Sequence, residues 1–124
     1  MSCFWNALKR KITHFHHCKS PNEVLSYLQT HNRITDLVTV NNTHLTPQQL
    51  LENYNSVKDY LKNGHQTDKG HLTRFTDPFL MLCCENFKCN IVFTFVNTKI
   101  YFNYIGNDHC HKTYEFSSST SHFQ

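Results

Sequence analysis

Residues 76–105 read TDPFLMLCCENFKCNIVFTFVNTKIYFNYI, and the change of pattern inside this stretch decides the fold class. Its first part, Phe79-Leu80-Met81-Leu82-Cys83-Cys84, is apolar nearly all round, which predicts a buried helix opened by Thr76-Asp77-Pro78. After Asn90 the residues turn β-branched and aromatic. Ile91–Val96 and Ile100–Ile105 predict two strands joined as a hairpin across Asn97-Thr98-Lys99. Gly106-Asn107-Asp108 reads as a second turn, and His109–Phe116 as a third strand.

Upstream the signals are helical. Phe4, Leu8, Ile12 and Phe15 recur at spacings that place them on one face of a first helix, with Ser2 as its cap. Ser20-Pro21-Asn22-Glu23 has the form of a capping box with Pro at the first helical position, and predicts a short helix through Leu28. Thr46-Pro47-Gln48-Gln49 repeats that form ahead of Leu50, Leu51, Tyr54, Val57, Tyr60 and Leu61, a helix that stops near Gly64. Thr30–Leu45 is left open as a strand or a partner-binding loop. N-terminal helices followed by an antiparallel β-meander give an α+β domain. One domain over residues 1–116 is expected, with 117–124 as a flexible C-terminal tail opened by the Ser-rich run Ser117–Ser121.

Composition narrows the function classes. The 124 residues are 39% hydrophobic and 14% aromatic, which supports a packed core and argues against full disorder. A net charge of +3 is mildly basic, and Lys9-Arg10-Lys11 forms the only tight basic run, so nucleic acid is not expected as a partner. The first twenty residues contain no apolar run of seven, so neither a signal peptide nor a membrane span is expected. An intracellular, reducing setting with free thiols follows. Thirteen Asn and thirteen Thr against one Ala suggest AT-rich coding, a bias common in viruses.

Six Cys and ten His are the unusual part of the composition. His14, His16, His17 and Cys18 crowd one stretch, and Cys83, Cys84 and Cys89 another, but neither has clean zinc-ligand spacing. His14–His17 are expected to end the first helix, where cations suit the dipole, and Cys83 and Cys84 to pack in the core. No cofactor or metal is expected. Two residues stand apart by position. Cys3 opens the first helix, where the dipole lowers a thiol's pKa and makes the nucleophilic thiolate available. His109 follows a turn at the start of a strand, a rigid and exposed place for a general base. Beside it, Asp108 would point to the opposite face of the strand, whereas His111 shares the face of His109.

Chain order carries a resemblance. A Cys on the first helix, a helical middle and a final His-bearing strand is the order of papain-like cysteine peptidases. Cys3-Phe4-Trp5-Asn6-Ala7-Leu8 resembles the start of the nucleophile helix in the ovarian-tumour (OTU) deubiquitinase family, and is similar to the cysteine segment of picornaviral papain-like leader peptidases. Gly70-His71-Leu72-Thr73-Arg74-Phe75-Thr76-Asp77 and Phe87-Lys88-Cys89-Asn90-Ile91-Val92-Phe93 resemble the OTU entry segment and following strand in the same order.

The resemblance implies a papain-like/OTU-like fold with Cys3 as nucleophile, His109 as base and His111 as the orienting third residue. It further implies a thiol peptidase of the host cytoplasm, acting on a bond after a ubiquitin-like tail or at its own polyprotein junction. Three positions depart from the family. Only Met1 and Ser2 precede Cys3, where the family has an Asp-Gly-Asn run that helps form the oxyanion hole. Cys110 replaces the aromatic after the base, and His111 replaces the usual Asn or Asp. These departures, and separately the Cys and His clusters, keep two other classes in view. One is a catalytically inactive viral host-response antagonist that binds a host protein; the other is a small zinc-stabilised binding module.

Overall fold

The computed structural model describes residues 3–60, 73–108 and 112–118. Four α-helices lie in it: α1 (Cys3–Lys11), α2 (Pro21–Thr30), α3 (Pro47–Lys58) and α4 (Thr73–Phe87). Four strands, β1 (Val38–Val40), β2 (Asn90–Phe95), β3 (Thr98–Tyr104) and β4 (Thr113–Ser118), form one sheet in the order β1-β3-β2-β4. The α+β class expected from sequence therefore holds. The antiparallel meander does not, because β4 pairs with β2 and runs parallel to it.

The reason lies at the edges of the hairpin. The outer edge of β3 is occupied by β1, in a register from Val38 opposite Tyr104 to Val40 opposite Phe102. The chain after β3 instead returns beside the start of β2, where the Asn90 N–H donates to the Lys112 carbonyl at 2.9 Å. The Asn90 side-chain oxygen accepts from the Tyr104 N–H at 2.9 Å, so one residue ties three strands together. β4 also runs through Ser118, which is buried and accepts from the Val96 N–H at 3.0 Å. Ser117 and Ser118 thus belong to the sheet rather than to a tail.

Strand periodicity sets the inner face. Ile91 and Phe93 of β2 align with Phe102 and Ile100 of β3 and with Tyr114 and Phe116 of β4. Against this face lies α4, whose segment from Phe79 to Cys84 is buried throughout, as its apolar composition predicts. It starts at Thr73, earlier than the Thr76-Asp77-Pro78 signal suggests, and carries Pro78 inside it. Pro78 is the sixth residue of this helix, past the first turn, so it forgoes an i→i−4 hydrogen bond that another residue would donate there. Lys88 then adopts φ 53°, and the Cys89 N–H closes the helix end on the Cys84 carbonyl at 3.2 Å.

The other helices follow their caps unevenly. Thr46 and Gln49 form a full capping box on α3, with reciprocal hydrogen bonds of 3.1 and 2.9 Å. Ser20 does not cap α2 through its side chain; the Glu23 N–H goes to the Ser20 carbonyl instead, at 3.1 Å. α1 is shorter than its apolar period. It ends at Lys11, and a 3-10 turn over Thr13–Phe15 carries the buried Phe15 to the core. His14–His17 consequently lie beyond the helix, whose last turn is Lys9-Arg10-Lys11. The open question over 30–45 resolves as β1 and a tight turn at Asn41 and Asn42. Both asparagines have positive φ, 51° and 64°, a conformation this residue type tolerates.

The β2–β3 loop holds a less suitable residue. Phe95 pairs with Thr98, leaving Val96 and Asn97 as the loop, and Val96 has φ 55°. A β-branched side chain is strained there, and at 55% exposure it contributes little packing in return. Val96→Gly is expected to stabilise the fold by about 1 kcal/mol after the entropy cost of glycine, raising the melting temperature by roughly 3–5 °C in a thermal scan.

Candidate functional site

Cys3 is the first residue of α1, the position the sequence predicts, and its backbone stands at the positive end of the helix dipole. The helix is seated by aromatic packing immediately behind it. Phe4 and Trp5 are fully buried, with the Trp5 ring 4.8 Å from Phe79 and 5.7 Å from Tyr60. Both contacts are edge-to-face, the arrangement ring quadrupoles favour.

His109, Cys110 and His111 lie outside the described residues. The residues that border them are well anchored. Asp108 accepts from Lys88 at 2.8 Å, a contact that raises the lysine pKa and lowers the carboxyl's. Lys112 is held by Asn90 at the start of β2. These anchors lie just past the C-terminal end of α4. Phe4 and Trp5 meet α4 at Phe79, whereas Phe15, past the end of α1, meets it at Phe87. α1 and α4 therefore run the same way, and Phe79 and Phe87 are about 12 Å apart along the helix. At the far end, Thr13 and Lys11 reach β4 through the Tyr114 hydroxyl at 3.2 Å and the Glu115 carbonyl at 2.7 Å. The described residues thus do not bring the start of α1 and the start of β4 together.

The remaining thiols are structural. Cys18, Cys83, Cys84 and Cys89 are all free and buried. Cys84 donates to the Phe102 carbonyl at 3.7 Å and Cys89 to the Cys83 carbonyl at 3.8 Å. Burial pushes the Cys83 thiol well above its ordinary pKa, the opposite of what a nucleophile needs. Among the described residues, no three His, Cys, Asp or Glu side chains come together as a metal-binding group. Nor is any described helix long and apolar enough to cross a membrane.

A cleft of about 400 Å³ opens between α3, α4 and the sheet. Val40, Met81 and Phe102 line it on the apolar side, with Glu52 and Asp77 among its polar residues. No family model, no curated protein and no solved structure matches the chain, so the papain-like/OTU-like resemblance rests on the sequence patches alone.

One polar group has a role that sequence reasoning missed. Glu85 stands within the apolar helix α4 and is 4% exposed. Its Oε1 accepts from the Leu37 N–H at 3.1 Å, and its Oε2 lies 3.6 Å from the Arg33 guanidinium. The contact fixes the segment entering β1 onto the end of α4. Burial raises the Glu85 pKa, with the Leu37 N–H and Arg33 opposing it. A carboxyl held above its unfolded value favours folding fully below that value and loses this contribution as pH rises through the folded one. Glu85→Ala is expected to cost about 1–3 kcal/mol in urea unfolding at neutral pH, because the Leu37 N–H loses its partner. Glu85→Gln keeps an acceptor but cannot ionise. It should cost less, and its stability should fall less than the parent's as pH rises from about 4 to 7.

Proposed function

We propose that this chain acts by binding a host protein, as a catalytically inactive viral host-response antagonist of the host cytoplasm. The observation that carries this reading is the separation just described. Phe4 and Trp5, which follow Cys3, pack at the Phe79 level of α4, while Asp108 and Lys112, which border the His109–His111 segment, are held beside its C-terminal end. A nucleophile and base need hydrogen-bond reach of about 3 Å, directly or through one water. Four free thiols among the described residues suit a reducing compartment. Composition supplies the viral part of the proposal.

A second reading has its own support. Cys3 does open a helix, as a thiolate nucleophile would require, and it is followed by the aromatic-Asn-Ala pattern of papain-like enzymes. On that reading the protein is a thiol peptidase, a deubiquitinase or self-processing leader peptidase, with Cys3, His109 and His111 as its site. Reaction with a ubiquitin-like protein carrying a C-terminal electrophile, together with a cleavage assay on a substrate spanning the chain's own C-terminal junction, separates the two. The binding reading expects neither labelling nor cleavage, and the Cys3→Ala chain to keep its host-protein complex. Labelling or cleavage that vanishes in both Cys3→Ala and His109→Ala would replace it with the peptidase reading.

A further inference from the structure

The charge of this chain is unevenly placed. Residues 1–35 hold five of the twelve Lys and Arg residues and one of the nine acidic ones, Glu23, so they carry +4 while the rest carries −1. In the fold this segment forms α1, the 3-10 turn and α2, and it also supplies four His, His14, His16, His17 and His31. The sequence alone shows only one short basic run. The structure adds a column of rings.

His14 stacks on Phe87 with centroids 4.1 Å apart and planes 9° from parallel. Phe87 stacks in turn on Tyr27, at 5.9 Å and 24°, and Tyr27 on His31, at 4.1 Å and 22°. The column is fixed from both sides. Phe15 meets Phe87 and Tyr27 edge-on, and the Asn86 side chain donates to the His31 carbonyl at 3.3 Å. Both terminal imidazoles are exposed. The basic side chains of Arg10 and Lys19 are exposed and that of Lys9 half-exposed, and the His16 ring lies 2.9 Å from the Arg10 carbonyl. Lys11 is committed elsewhere, to the Glu115 carbonyl and the Phe116 ring, and Arg33 lies against Glu85.

We propose that this face binds single-stranded nucleic acid, RNA in the first instance, without strong sequence preference. Bases stack on His14 and His31 at the two ends of the column, and Lys9, Arg10 and Lys19 contact backbone phosphates. Exposed flat rings carried on the same segment as exposed basic side chains are a combination that single-strand binders use, because every base has a face to stack. Charge alone would suit an acidic protein segment or an anionic membrane equally; the pre-stacked, exposed rings favour a base. This inference stands apart from the host-protein reading, since neither requires the other.

The test uses the full chain and a fluorescently labelled single-stranded RNA of about 12 nucleotides, a length within the usual single-strand site range, read by anisotropy at low and moderate salt. Saturable binding is expected. His14→Ala should weaken it roughly 5–10-fold with an unchanged melting temperature, and His14→Phe, which keeps a flat ring, should restore most of the loss. Replacing Lys9, Arg10 and Lys19 together with Gln should reduce the slope of log K against log salt by about 2, whereas Lys58→Gln and Lys99→Gln, outside the segment, should leave binding unchanged. Absence of RNA binding at low salt would overturn the proposal. So would binding indifferent to His14→Ala and matched by polyglutamate or by phosphatidylserine vesicles, which would assign the face to an acidic protein or a membrane.

Discussion

The structure depends on the burial of one helix against one sheet face. Phe79 to Cys84 of α4 are each at most 1% exposed, and they meet a sheet surface made by Ile91, Phe93, Phe102 and Phe116. Removing a Leu, Met or Phe side chain from water contributes roughly 1.5–3 kcal/mol each, so this layer carries a large share of what opposes chain entropy. The remaining helices are arranged around it. Trp5, Phe4 and Tyr60 close over Phe79 at one level of α4, and Phe15 and Tyr27 close over Phe87 at its end.

That layer also dictates where polar groups must be handled. Glu85 follows directly on the apolar run and is drawn into the core with it, where it serves the otherwise unpaired Leu37 N–H at the entry to β1. Asn90 does the corresponding work at the start of β2, joining the end of β3 and the approach to β4. Buried or half-buried polar side chains of this kind specify connections rather than add much net stability. Here they determine which strand lies beside which.

Much of the fold was legible in the sequence because local rules and tertiary packing agree there. The apolar run 79–84, the β-branched and aromatic runs of β2 and β3 and the capping box at Thr46 each signal through nearest neighbours, and each appears in the structure. Where the reading failed, a distant contact outweighed a local one. The first helix yields at Lys11 because Phe15 is needed over Phe87, and Ser20 leaves its capping role to the backbone. The parallel placement of β4 has no local signal at all, since it follows from β1 occupying the outer edge of β3. The candidate site was less legible. Cys3 could be placed at a helix start from spacing, but whether a base stands beside it depends on how α1 is directed along α4.

The sequence by itself determined the α+β class, the buried helix, the hairpin and the excess of Cys and His, because periodicity and composition act over a few residues. It did not determine the order of strands, the sense of α1 relative to α4 or the stacking of His14, Phe87, Tyr27 and His31, which the 3-10 turn, α4 and α2 bring together. A histidine count pointed toward metal or catalysis. Tertiary structure instead placed two of those imidazoles at the ends of an aromatic column, because ring contact requires neighbours that only the packed helices bring within about 4–7 Å.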